Sequence, residues 1–369
     1  MIKIQQIIDT IEAVAPLHLQ ESYDNAGLII GDPNQEVKQA IITLDVTEDI
    51  LDEAIATGSD IVIAHHPIVF SGLKKINGKN MVERCVQKAI KNDIAIYASH
   101  TNLDSVWGGV NSKIADKIGL INQQILRPNY NPIFKFTTFI PKTHIDQVIE
   151  KLSEKGFGRI GNYDSCSFTT EGTGQFRPLD GAKPYIGQTD QLEKVQEIRF
   201  ECTLKSTELT AFIQTLKDAH PYEEVAYDII ETTQKEATSG LGMVGDLPEA
   251  INTQTFLQQL SDTFEIPVIK HSNICHEKIQ KVALCGGAGS SFLKDAIKHK
   301  ADIYITGDVK YHDFFNAEEK IIFADIGHFE SEQFTKEVFY EILTKKIPNF
   351  AVRMSAISSN AVNYYIGKS

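Results

Sequence analysis

Residues 60–70 read "DIVIAHHPIVF". Ile61, Val62, Ile63 and Ala64 form an unbroken apolar run rich in β-branched residues. That is the pattern of a strand buried on both faces, not of one with a wet side. The run stops at two adjacent imidazoles and a proline. A buried strand has no packing use for two polar rings at its exit, so His65 and His66 are candidates for holding a ligand.

Working outward, strands alternate with helices. "QAIITLDV" reads as a strand, "TEDILDEAIATG" as a helix capped by Thr47 and stopped at Gly58, and "IAIYAS" as the next buried strand. "NMVERCVQKAIKN" and "GVNSKIADKIG" are further helices. This is βαβ grammar. It returns near the C-terminus in "KVALCGG", "GSSFLKDAIKHK", "DIYITGD" and "IIFADIG". Residues 37–66 align with 279–308 without a gap, at a constant offset of 242. Leu51, Ala54, Ile55, Asp60, Ile61 and Ile63 fall on Leu293, Ala296, Ile297, Asp302, Ile303 and Ile305. Identities in one register favour a duplication over two independent uses of the same grammar. Between the halves, "IFKFTTFIP", "CSFTTEG" and "EIRFECTL" alternate as strands, and "HIDQVIEKLSEKG" and "STELTAFIQTLKDAH" read as helices. The expected organisation is therefore a first α/β half over 1–124, an inserted α+β domain over 125–235 and a second α/β half over 236–369. "RPNYNP" and "ETTQKEATSGLG" read as the linkers.

The chain has 369 residues, 42% hydrophobic and 23% charged, with a net charge of −13. That composition is globular. The negative charge disfavours nucleic-acid binding by phosphate neutralisation. The five cysteines are odd in number and lack CxxC spacing, which suits a reducing compartment and excludes the usual thiolate zinc site. The first residues form an amphipathic helix with Ile4, Ile7, Ile8 and Ile11 on one face, not a signal peptide. No apolar run is long enough to span a membrane. The expectation is a cytoplasmic protein.

Two more strand exits carry chemistry. "IAIYASHTNLD" ends in His100 and Asp104, and "ADIGHFESEQF" in His328 and Glu332, which are i and i+4 on one helix face. His, Asp and Glu donors without thiolate suit zinc, iron or manganese. Because adjacent side chains of an extended backbone point to opposite sides, His65 and His66 would each serve a separate ion. His100 reads as an outer partner or proton carrier. Gly286, Gly287 and Gly289 in "CGGAGSS" offer backbone N–H groups to a phosphate, with Lys310 as a cationic partner. Asp45 and Thr47, and Asp308 and His312, lie on the corresponding loops. "HPYEEVAYD" reads as packing at a contact surface.

"DNAGLIIGD", "IAHHPIVF", "SHTNLD" and "GHFESE" resemble the Nif-three-like dinuclear metal-centre family, whose members are called GTP cyclohydrolase 1 type 2 homologues. The resemblance covers both α/β halves. It implies two divalent ions held by His65, His66, Asp104, His328 and Glu332, and a ring-shaped homohexamer. It also implies that the insert is a ferredoxin-like domain of the PII and CutA kind. The functional expectation is a metal-dependent hydrolase of a nucleotide or related small molecule. With GTP, the cations would acidify a water and polarise purine C8. The alternative is a non-enzymatic metal-binding or regulatory protein.

Overall fold

The computed structural model describes residues 1–366, with the backbone alone for Glu236. It is a mixed α/β protein of two compact units, one of residues 1–129 with 239–369, the other of residues 130–238.

In the first unit, strands Gln39–Thr43, Ile61–Ala64 and Ala95–Ala98 lie parallel and side by side. Ala351–Met354 extends this sheet in parallel at one edge, and Gly27–Ile30 closes the other edge antiparallel. A second parallel set is made by Lys278–Leu284, Ile303–Thr306 and Ile322–Asp325. The two sets share their register. Ala40 pairs with Ile61 and Val282 with Ile303; Ile42 pairs with Ile63 and Leu284 with Ile305. Each pair is related to its counterpart by the offset seen in the sequence. Asp60 accepts the backbone N–H groups of Lys38 and Gln39, and Asp302 those of Gln280 and Lys281, at the same offset.

The continuous apolar runs form strands because both faces are covered. All four residues of Ile61–Ala64 are buried, as are all four of Ile303–Thr306. One core holds Ile61, Ile63 and Tyr97 from the first set, Val282, Ile303 and Ile322 from the second, and Ile4, Ile7, Ile8 and Ile11 of the first helix. Each such side chain contributes about 1.5–3 kcal/mol by leaving water. The helix Glu48–Thr57 begins where the Thr47 side chain accepts the Ile50 N–H and stops at Gly58, whose φ of 67° is left-handed. Every parallel strand points its carboxyl end towards loops that carry polar residues, the usual position of a site in an open α/β sheet.

The second unit runs strand, helix, strand, strand, helix, strand. The 133–141 stretch pairs antiparallel with Glu193–Lys205, which pairs on its other side with Phe168–Phe176. Helices Ile145–Glu154 and Leu209–Ala219 cover one face of this sheet, through a core that includes Phe136, Val148, Phe200 and Phe212. The segments read as linkers are not loops. "RPNYNP" lies inside strand Ile121–Pro141 and "ETTQKEATSGLG" inside strand Tyr227–Asn252. Their Pro, Asn and Gly residues suggested breaks, but the strand pairing there overrides the local preference. Among the described residues no helix is long and apolar enough to cross a membrane, and all five cysteines are free.

Candidate metal centre

The first unit brings four histidines and their acidic partners to the carboxyl ends of its parallel strands. The turn after Ala64 is pinned by the N–H groups of both His65 and His66, which donate to the Leu44 carbonyl at 3.1 and 3.0 Å. From there the rings diverge. His65 is fully buried, and its Nδ1 donates to the Ser99 carbonyl at 2.9 Å. His66 Nδ1 meets Asp45 Oδ1 at 2.7 Å, His100 Nδ1 meets Asp24 Oδ1 at 2.8 Å, and His328 Nδ1 meets Asp308 Oδ2 at 2.8 Å. Every one of these Nδ1 atoms is thus held by an oxygen acceptor, which fixes the ring and frees Nε2. That is the arrangement by which proteins orient and enrich metal-binding imidazoles.

The Nε2 atoms of three rings converge on Glu332, which is buried. Its Oε1 lies 3.8 Å from His65 Nε2, and that nitrogen lies 3.6 Å from Asp104 Oδ1. Its Oε2 lies 3.1 Å from His66 Nε2 and 3.2 Å from His328 Nε2, and those two nitrogens are 3.4 Å apart. His65 Nε2 and Asp104 Oδ1 are buried without any hydrogen-bond partner. Leaving two such atoms unsatisfied costs about 1–3 kcal/mol each, so a buried pair facing one gap calls for a missing partner. A cation fits. Donors at ~2.1 Å around a tetrahedral ion stand ~3.4 Å from one another. His65, Asp104 and Glu332 form one group able to hold a metal ion, His66, His328 and Glu332 another, and His65, His66 and His100 a third.

Without a cation, the groups share protons instead. Burial lowers the basicity of His66, but its hydrogen bonds to Asp45 and Glu332 outweigh this and push it up to about 10. His328, likewise opposed by burial, is raised to about 9 by Glu332 and Asp308. Burial opposes ionisation of Glu332, yet the rings around it hold its carboxyl well below the usual range. Asp104 is pushed the other way, by burial first and then by the neighbouring Glu332 charge. Two neighbouring acids with opposed tendencies at one locus, Glu332 buried and Asp104 nearly so, are a signature of functional sites.

Other parts of the sequence have more specific roles than their spacing showed. Asp24, within "DNAGLIIGD", accepts from the Thr101 N–H as well as holding His100. It lies 76 residues from that ring, so no local spacing pointed to it. The C-terminal segment contributes too. Ser359 donates to Asp45 at 2.9 Å, and Asn360 and Tyr364 donate to Glu330, beside the His328 turn. Asp104 lies on the short helix Thr101–Asp104, where the Asn111 amide donates to its carbonyl.

The phosphate cradle expected at Gly286, Gly287 and Gly289 is not formed. Their N–H groups donate to Asn111 Oδ1 at 2.9 Å, Ser331 Oγ at 3.0 Å and Thr306 Oγ1 at 2.8 Å, so the donors are already used inside the fold. The loop instead packs against the cluster. Gly287 has a φ of 62°, and a Cβ there would collide with Glu332 Oε1. Lys310 is exposed, and its backbone N–H faces Asp313 at 3.4 Å. No ion pair or side-chain hydrogen bond joins it to the cluster among the described residues. His312 lies at the surface, edge-on to Tyr311 and tilted towards Phe315. Beside the cluster, Phe70 sits edge-on to His100 with ring centres 6.3 Å apart, and Tyr23 lies 6.3 Å beyond. Both rings are at least half exposed, at 50% and 63%.

Fold and site together define an α/β protein whose strand ends carry a histidine–carboxylate cluster able to hold metal. The chain belongs to the Duf34/NIF3 (NGG1p interacting factor 3) family, whose model matches residues 2–361. A Bacillus subtilis protein named GTP cyclohydrolase 1 type 2 homolog is 40% identical over 309 residues, covering 84% of this chain and 83% of its own. A Staphylococcus epidermidis protein of the same name is 37% identical over 369 residues, covering 98% and 100%. The crystal structure of a Bacillus cereus protein related to NIF3 superposes with a TM-score of 0.87 at 36% identity, covering 99% of each chain.

Proposed function

We propose that this chain binds two divalent metal ions, zinc foremost with iron or manganese as alternatives, and uses them to hydrolyse a nucleotide or related small molecule. The observation that carries the reading is the position of Glu332. One of its oxygens faces the orphaned His65 Nε2 and Asp104 side, the other faces His66 and His328. A carboxylate so placed suits a bridge between neighbouring cations. Such a pair, when bound, would supply Lewis acidity and lower the pKa of a water molecule. The chain's own groups supply the rest. Asp45, Asp24 and Asp308 keep the rings oriented, Asp104 and Glu332 balance the cationic charge, and His100 stands at the rim to carry a proton. Phe70 and Tyr23 offer an apolar wall to a planar substrate ring.

Several broader features belong to the same reading. The shared register of the two strand sets supports a duplicated βαβ unit. The order of elements in 130–238 supports a ferredoxin-like insert of the PII and CutA kind. Free cysteines support a cytoplasmic setting. The ring-shaped homohexamer implied by the family resemblance completes the proposal, with exposed Trp107 as one apolar surface for a second copy. Nucleic acid is not proposed as a ligand, given the charge of −13.

A second reading, metal binding without catalysis, draws on the occupied amides at 286–289, which leave a triphosphate without its expected partner. One experiment separates the two. Protein purified without affinity-tag metal is loaded with zinc, iron or manganese and screened against GTP, other nucleotides and esters. Turnover that disappears on chelation and in His65→Ala supports the hydrolase. A fully loaded protein that leaves every substrate intact rejects it in favour of the second reading.

A further inference from the structure

The unit of residues 130–238 contains a cavity of about 660 Å³ in which none of the residues of the metal centre takes part. Its size falls within the range of small-molecule sites, ~300–1,000 Å³. Strands Phe168–Phe176 and Glu193–Lys205 supply one wall, the stretch from Arg177 to Tyr185 a second and the segment Tyr222–Ala226 a third. The walls are mostly apolar and aromatic. Phe176 packs edge-on to Tyr222 with ring centres 5.8 Å apart, and Tyr185 lies 6.5 Å from the same ring. Tyr185 and Leu179 are 54% and 65% exposed, so large apolar groups line the space with much of their surface uncovered, although His144 packs edge-on to the Tyr185 ring.

Of the carboxylates that line this space, one is buried. Glu197 sits mid-strand and is only 9% exposed. Its Oε1 accepts the Tyr222 O–H at 2.9 Å. Its Oε2 receives no hydrogen bond among the described residues. That oxygen lies over Gly174, where any Cβ would strike it. The glycine therefore keeps open the space the carboxylate occupies. Oε2 is not among the buried unpaired atoms, so it stands open to the cavity, where a ligand's cation or hydrogen-bond donor can reach it. The other charged groups of the wall are largely committed. Glu171 pairs with Lys142, Arg199 with Glu201, and Glu223 accepts the Lys183 N–H. Glu224 adds a further negative charge, and Arg177 lies exposed at the edge.

We infer that this cavity is a binding site for an organic amine with an apolar, preferably aromatic, body. The ammonium group meets Glu197 Oε2, and the body lies against Tyr222, Tyr185 and Phe176. The aromatic faces favour the cationic end as well as the apolar one. None of its residues belongs to the metal centre.

Calorimetric titration of the full chain with tryptamine and with 3-(indol-3-yl)propionate tests this. The two probes share their ring and nearly their length, and differ in the sign of the charge. The expected result is saturable tryptamine binding, about tenfold or more tighter than the acid. Glu197→Gln keeps an oxygen for the Tyr222 hydroxyl and should remove that preference. Tyr185→Ala should weaken tryptamine by several-fold, with circular dichroism confirming that the variant is folded. Equal affinity for both probes, tighter binding of the acid through Arg177, no binding of either, or an unaltered preference in Glu197→Gln would each overturn the inference.

Discussion

Replacing Glu332 by Gln changes one atom and should disable the centre unevenly. Glu332 Oε2 stands 3.1 and 3.2 Å from two ring nitrogens, and Oε1 stands 3.8 Å from a third. An amide of the same shape keeps one oxygen and turns an N–H₂ group towards the other side. That nitrogen has no lone pair for a cation, so one group of ligands loses an anionic donor and gains a repulsive one. The other group keeps a neutral oxygen in place of a charged one. Breaking one member of a buried charged set costs about 3–5 kcal/mol, which is roughly two to four orders of magnitude in affinity. The loss should fall mainly on one ion, with a smaller loss on the second. The metal-free variant should also let Asp104 ionise more readily, because the neighbouring Glu332 charge that opposes it is gone. Competition for zinc against a chelating dye, with circular dichroism to confirm folding, measures both steps. Two ions bound at wild-type affinity by folded Glu332→Gln would refute the bridging role.

Asp45→Ala removes the acceptor that orients His66, and metal affinity should fall about 10–100-fold, read by the same competition. Gly287→Ala forces a side chain onto a φ of 62° and against Glu332. It should lower stability by roughly 1 kcal/mol or more in denaturant titrations and weaken metal binding together with it. His66 and His328 are raised in the metal-free fold to about 10 and about 9 from an ordinary 6.5. The stability they contribute is therefore complete below pH 6.5 and lost as pH rises through 9 to 10. The melting temperature of metal-free protein should drop over that window, and that of loaded protein should not follow it. For the same reason, metal binding at pH 7.5 should release about two protons from these rings and part of a third from Asp104, whose carboxyl is pushed up to about 8 by burial and by Glu332, measured by calorimetry in buffers of different ionisation enthalpy.

The residues at the three strand exits were legible because each breaks a simple rule. An apolar strand that ends in His-His, a second that ends in His100 and a third followed by His328 and Glu332 all place polar groups where packing needs none. The α/β grammar was equally plain, since continuous β-branched runs and capped helices are local signals. The partners that complete the centre carry no local signal. Asp24 reaches His100 across 76 residues, and Ser359 reaches Asp45 across 314. The glycines at 286–289 misled for the opposite reason. Their composition suggested free amides, but Asn111, Ser331 and Thr306 satisfy them, and only tertiary structure reveals such acceptors. The division between the two units falls inside both segments read as linkers, but they run as strand rather than loop, with Pro128, Asn129 and Asn131 within Ile121–Pro141.

The central claim is that Glu332 links two metal ions, and stoichiometry tests it most directly. Protein expressed without an affinity tag, stripped by chelation and dialysed into zinc-buffered solution, is analysed for metal and for protein by independent methods. The account predicts about two zinc ions per chain, falling towards one in Glu332→Gln. A single ion per chain at saturation, or two in both proteins with equal affinity, would contradict it.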